Sequence, residues 1–182
     1  MKTMTLYHQA LELATEQVQA VRTADLDRPT PCAGWDLATL LAHMTGQNHG
    51  FADALRGGTD PAAYAPTTGW AESVADLLDA VARPGTDEVL LPEISTTLRF
   101  PVDVVVGFQL LDTVVHTWDV ATAVGRVWRP GPELADAVLA QARQVPAGEA
   151  RTARGAAFGP VLTVGDDDPW AQALALLGRV PR

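Results

Sequence analysis

Residues 108–125 read FQLLDTVVHTWDVATAVG. Wound at 3.6 residues per turn, the segment brings Asp112, His116 and Asp119 into one narrow stripe, because steps of four and seven residues return to the same face. Around that stripe stand Leu110, Leu111, Val114, Val115, Trp118, Val120 and Ala121, so the helix is expected to be buried on most sides, with Gly125 ending it. A carboxylate in such surroundings needs a counter-charge or several hydrogen bonds, since an isolated one is costly to desolvate. A divalent cation would supply that charge. The segment therefore predicts a helical bundle with a polar site in its interior.

Working outward, the other helices announce themselves by apolar spacing and by Pro and Gly stops. Leu6, Ala10, Leu13, Ala14, Val18 and Val21 recur at three- and four-residue steps and predict a first helix over Thr5–Arg22. The prolines and glycine of LDRPTPCAGW predict an irregular crossing loop, after which Asp36 caps a second helix over Leu37–Leu55, ended by Gly57 and Gly58. Val74, Leu77, Leu78 and Val81 mark a third helix, stopped by Pro84 and Gly85. DEVLLPEISTTLRFP is short and β-branched and reads as a small hairpin or extended crossover. Pro101 then suits the first turn of the fourth helix, which runs to about Ala123. Beyond Arg126 come a helix around Glu133–Gln144, an Ala/Gly-rich connector, the apolar FGPVLTV and a last helix near Trp170–Leu177. The expected architecture is all-α: one domain over 1–182, with a four-helix bundle core at 1–125 and a small C-terminal extension at 126–182.

Composition narrows the partners. A formal charge of -9, with 13 basic residues scattered along the chain, argues against wrapping a phosphate backbone, so nucleic acid is not an expected partner. No apolar run approaches the roughly 20 residues that cross a bilayer, and the opening MKTMTLYHQALELATEQ lacks the pattern of a secretory signal. The expectation is a cytoplasmic protein without a membrane partner. The lone Cys32 rules out an internal disulfide and a cysteine-cluster metal site, and reads as a small apolar side chain.

His43 completes the candidate site. It lies in LATLLAHMTGQNHG on the core side of the second helix; Gln47 follows one turn later as a supporting donor, and His49 points roughly the opposite way. Two neutral imidazoles and one carboxylate, His43, His116 and Asp112, leave positions open on a zinc-like ion for water or substrate, as a catalytic site requires. Asp119 reads as a partner to these ligands or a cap. The bland reading stands beside this: a core histidine with a hydrogen bond, an Asp–His pair four apart that merely stabilises its helix, and Trp35 and Trp118 packing the core.

TPCAGWDLATLLAHM (residues 30–44) together with LLDTVVHTWDVATAVGR (110–126) resembles the actinobacterial branch of the DinB/YfiT-like metalloenzymes, which includes the N-terminal domain of mycothiol-dependent maleylpyruvate isomerase. The ending DPWAQALALLGRVPR is similar to a tail found in that branch. The resemblance implies a four-helix bundle holding zinc or nickel through His43, Asp112 and His116. It implies mycothiol or another low-molecular-weight thiol as cofactor and a small-molecule electrophile as substrate. Two departures accompany it: the isomerases carry Glu where Asp112 stands, and their C-terminal domain is large beside the last fifty or so residues here.

The function expected is that of a metal- and thiol-dependent transferase or isomerase. Two alternatives stand beside it: a metal-dependent hydrolase that turns over without thiol, and a non-catalytic bundle binding a small apolar ligand. Arg99, Arg151 and Arg154 are available to meet a substrate carboxylate. A two-fold homodimer is the ordinary expectation for such a bundle.

Overall fold

The computed structural model describes residues 2–152, 156–165 and 167–181. It is all-α apart from one short hairpin, and it divides into two compact units, Met1–Arg126 and Val127–Arg182.

In the first unit, helices α1 (Lys2–Gln19), α2 (Leu37–Leu55), α3 (Trp70–Ala82) and α4 (Val102–Ala123) form the bundle. The closest packing is of α1 along α4 and of α2 along α3, with α2 also meeting α4. The first helix begins and ends earlier than its apolar spacing predicts. Past Gln19 the chain opens into extended backbone at Arg22, and Asp25 captures both the Arg22 amide and its guanidinium, an alternative to continuing the helix. Arg28 Nε reaches the same carboxylate at 2.8 Å, so Asp25 ties the start of the crossing loop from two sides.

The loop of residues 26–36 is irregular but closely bonded. Thr30 pairs with Trp35 through its amide and hydroxyl, the Trp35 amide returns to the Cys32 carbonyl, and Gly34 takes the left-handed conformation (φ 80°) that closes the turn. Asp36 caps α2 as expected, its carboxylate accepting from the Thr39 amide at 2.8 Å. Leu37, Leu40, Met44 and Val120 then form a core cluster on which Cys32 and Trp35 rest, fixing the loop against α2 and α4.

A close approach not foreseen from the periodicity involves two glycines of α2. A Cβ at Gly46 would sit 2.5 Å from the Ala65 carbonyl oxygen, and one at Gly50 would meet the Tyr64 ring at 2.3 Å. The short 3-10 turn at Pro61–Tyr64 packs into that notch. The segment before α4 is an antiparallel hairpin, β1 (Glu88–Leu90) paired with β2 (Arg99–Pro101) in the register Val89 opposite Phe100. Pro101 therefore ends the strand and stands at the N-cap of α4, one position before the first turn.

In the second unit, α5 (Pro132–Ala142), a 3-10 turn at Glu149–Thr152 and α6 (Pro169–Leu176) surround a buried arginine. Arg151 donates to the carbonyls of Val145, Pro146, Gly159 and Leu176 and is thereby committed to holding this unit together. FGPVLTV is not a regular element; its Leu162 amide bonds to the Ala175 carbonyl. No helix among the described residues is long and apolar enough to cross a membrane.

Candidate metal centre

Three segments bring the site together inside the first unit: α2 carries His43, α4 carries Asp112, His116 and Asp119, and the loop before α2 carries Cys32 and Trp35. One ligand atom from each of His43, Asp112 and His116 lies within 4.8 Å of the others. The His43 and His116 rings stand edge to face, centroids 5.3 Å apart at 85°. His116 Nε2 is 3.3 Å from Asp112 Oδ1. The surrounding burial is graded: His116 is 7% exposed and Asp119 is fully buried, whereas His43 and Asp112 are half-buried. The open side of the cluster is therefore the side of His43 and Asp112.

His116 is held from both sides of its ring. Its Nδ1 is 2.9 Å from Asp119 Oδ2, and Cys32 Sγ donates to that same carboxylate oxygen at 3.3 Å while lying 3.8 Å from Nδ1. Burial by itself would depress the imidazole. The nearby Asp112 charge, with hydrogen bonds to Asp112, Asp119 and Cys32, outweighs burial and holds His116 well above the ordinary histidine range. His43 goes the other way: burial lowers it, His116 lowers it further, and Asp112 opposes both, leaving a neutral ring suited to coordination.

The donor set fits a divalent cation of the zinc and nickel class. Two imidazoles and a carboxylate are borderline nitrogen and hard oxygen ligands, and three protein ligands leave further positions open. Asp119 accepting from Nδ1–H turns Nε2 toward His43 and Asp112, the arrangement by which metal-binding histidines are usually oriented. Cys32, His116 and Asp119 form a second close group, but His116 Nδ1 is already engaged by Asp119 there.

The aromatic wall was read from sequence only as packing. Trp35 lies 4.7 Å from the His43 ring and 6.5 Å from the His116 ring, nearly parallel to the latter, and so lines the two histidines directly. Trp118 is buried as expected. Gln47 does not support the ligands: its amide donates to Glu93, in the loop of the hairpin, at 2.8 Å. His49 turns away and pairs with Asp76 at 3.2 Å. Of the arginines considered for a substrate carboxylate, Arg151 is occupied as described, Arg99 reaches the Glu88 carbonyl at 3.2 Å, and Arg154 lies outside the described residues.

The fold is that of a DinB-like helical bundle with a candidate metal cluster, and the chain is similar in part to the N-terminal domain of mycothiol-dependent maleylpyruvate isomerase. The mycothiol maleylpyruvate isomerase N-terminal domain family matches residues 7–69, a stretch that holds Cys32, Trp35 and His43 and stops short of α4. Uncharacterized proteins from two strains of Mycobacterium tuberculosis are 28% identical over 176 residues, covering 89% of this chain and 89% of each of them. Among solved structures, the crystal structure of the mycothiol-dependent maleylpyruvate isomerase superposes with a TM-score of 0.60 at 20% identity, covering 78% of this chain and 66% of that one. A histidine-to-alanine mutant of that isomerase gives 0.63 at 20% identity, over 88% and 74%. The chain thus spans about two thirds to three quarters of the isomerase's length.

Proposed function

We propose that His43, Asp112 and His116 bind a divalent cation, zinc or nickel, and that the protein is a metal-dependent enzyme acting with a low-molecular-weight thiol such as mycothiol on a small electrophile. The observation that carries this reading is the convergence of two imidazoles and a carboxylate from separate helices, with the buried Asp119 orienting the central ring. The kinship to the isomerase N-terminal domain supports the thiol and the electrophile as partners.

A cation in this site would stabilise the thiolate of a coordinating thiol near neutral pH, the nucleophilic form. The chain's own residues do the rest. Asp119 fixes the His116 ring and holds its Nδ1 proton, Trp35 walls the two imidazoles from water, and the half-buried His43 and Asp112 face the approach. Addition of the thiolate to a conjugated double bond, rotation about the resulting single bond and loss of the same thiolate gives cis–trans isomerisation with no net change in atoms. Retention of the adduct with uptake of a proton gives S-transfer.

The test begins with metal content by inductively coupled plasma mass spectrometry on protein purified without chelator or metal-binding tag. About one zinc or nickel per chain, lost in Asp112→Ala and His116→Ala, is the expected result. Reconstituted protein is then assayed on maleylpyruvate and related electrophiles with and without mycothiol. Turnover that needs no thiol would replace this reading with a hydrolytic one, and a wild type that takes up no metal would end it.

A further inference from the structure

The His116 ring meets donors on both of its nitrogens. Through Nε2 it faces Asp112 Oδ1 at 3.3 Å, within the group that includes His43. Through Nδ1 it faces Asp119 Oδ2 at 2.9 Å and Cys32 Sγ at 3.8 Å, and the sulfur lies 3.3 Å from that same oxygen. Cys32, His116 and Asp119 thus close a triangle of sulfur, nitrogen and oxygen on the far side of the ring. A tetrahedral zinc, with bonds of about 2.3 Å to sulfur and about 2.0 Å to nitrogen and oxygen, spaces its ligands about 3.5 Å apart where sulfur is one of the pair and about 3.3 Å apart otherwise. The three edges here agree with those spacings to within about 0.4 Å, so an ion fits after small side-chain shifts.

The triangle is held from its backbone. The Cys32 amide donates to Thr30 Oγ1 at 3.1 Å, its carbonyl accepts from the Trp35 amide at 3.0 Å, and its side chain packs against the cluster of Leu37, Leu40, Met44 and Val120. His116 and Asp119 stand one turn apart on α4. One cysteine makes no cysteine cluster, but a mixed site needs only one, and a thiolate gives it a preference for soft ions. Thiolate and carboxylate together also match the two charges of a divalent ion, where the set of His43, Asp112 and His116 brings a single carboxylate. Charge balance matters here because Asp119 is fully buried and His116 nearly so.

We propose that Cys32, His116 through Nδ1 and Asp119 form a second cation position, alternative to the first and selective for sulfur-seeking divalent ions such as zinc and cadmium. The two positions share one ring and exchange the roles of its carboxylates. With an ion on Nε2, Asp119 holds the Nδ1 proton; with an ion on Nδ1, the ring proton sits on Nε2, where Asp112 Oδ1 lies 3.3 Å away to accept it, and the thiol proton is released. The inference uses neither His43 nor Asp112 as a ligand, so it stands apart from the function proposed above. The competing role is structural, with sulfur and ring nitrogen serving only as hydrogen-bond donors to Asp119.

Cadmium alone is titrated into metal-free full-length protein kept reduced with a phosphine, and thiolate-to-cadmium charge transfer is followed in the ultraviolet. The wild type should show the band at stoichiometric cadmium, Cys32→Ser should lose it, and His43→Ala should keep it. Asp119→Asn should weaken the cadmium complex by about 10-fold or more, at least what a metal site loses with a supporting partner. A wild type without the band overturns the proposal. So does unchanged affinity in Asp119→Asn, which would reduce the site to a lone thiol, or loss of the band in His43→Ala, which would merge it with the first position. The two metal sites fail separately: zinc or nickel lost in Asp112→Ala with no cadmium band leaves only the first, and a cadmium band without that zinc or nickel leaves only the second.

Discussion

At the scale of single residues, the carboxylate behind His116 belongs to the candidate site as much as the side chains in front of it. Asp119 is fully buried and its Oδ2 lies 2.9 Å from His116 Nδ1, so it favours the proton on that nitrogen. Asp119→Asn keeps the size and an acceptor but removes the charge. Metal affinity is expected to fall about 10- to 100-fold, read by chelator competition, and wild-type affinity in the variant would show that Asp119 serves only the fold. The four-residue step from Asp112 to His116 and the seven-residue step to Asp119 were open to view in the sequence because one helix carries all three. The Cys32 thiol on Asp119 was not, since 87 residues separate them and nothing local marks the loop's descent onto α4.

Elements are joined here by close approaches that only particular residues permit. The notch in α2 depends on Gly46, where an added methyl would lie 2.5 Å from the Ala65 carbonyl oxygen and 2.8 Å from that of Tyr64, both backbone atoms. Alanine is the better helix former by about 1 kcal/mol, yet relieving the clash costs about 1–3 kcal/mol. Gly46→Ala should therefore lower the urea midpoint, and a raised midpoint would show that the 61–64 turn yields easily. The turn at Asp25 gives an element-scale pH dependence. Hydrogen bonding to the Arg22 side chain, opposed by desolvation and aided by the charges of Arg22 and Arg28, holds its carboxyl below the usual aspartate range. A group depressed on folding contributes stability above its unfolded value near 3.9, and that contribution is lost as pH falls through the folded value. Asp25→Asn should accordingly lose less stability than the wild type between pH 7 and pH 3 in denaturant titrations. Equal losses would place the acid sensitivity elsewhere.

For the whole molecule, a cation that binds only the folded chain must stabilise it by mass action. At free zinc 100-fold above the dissociation constant the gain is about 2.7 kcal/mol, which for a chain of 182 residues raises the melting temperature by about 5–10 °C. His116→Ala should remove that rise while still melting cooperatively. Zinc-independent melting of the wild type would favour a bundle whose histidines and carboxylates merely satisfy one another. Arg151 shows the converse at this scale: it looks available to a substrate in the sequence, and the fold spends its guanidinium on four carbonyls.

The sequence by itself determined the helices, the capping of α2 by Asp36, a short extended segment before α4 and the polar stripe at 112, 116 and 119, because each follows from interactions within a few turns or from a simple periodicity. Those are local energies, and local energies are written in neighbouring residues. Tertiary structure alone decided that His43 meets the stripe, that Trp35 lines it rather than filling the core at large, and that Gln47 turns to Glu93. These depend on how helices and loops far apart in the chain are set against one another, and that is fixed by packing of whole faces rather than by any residue's neighbours.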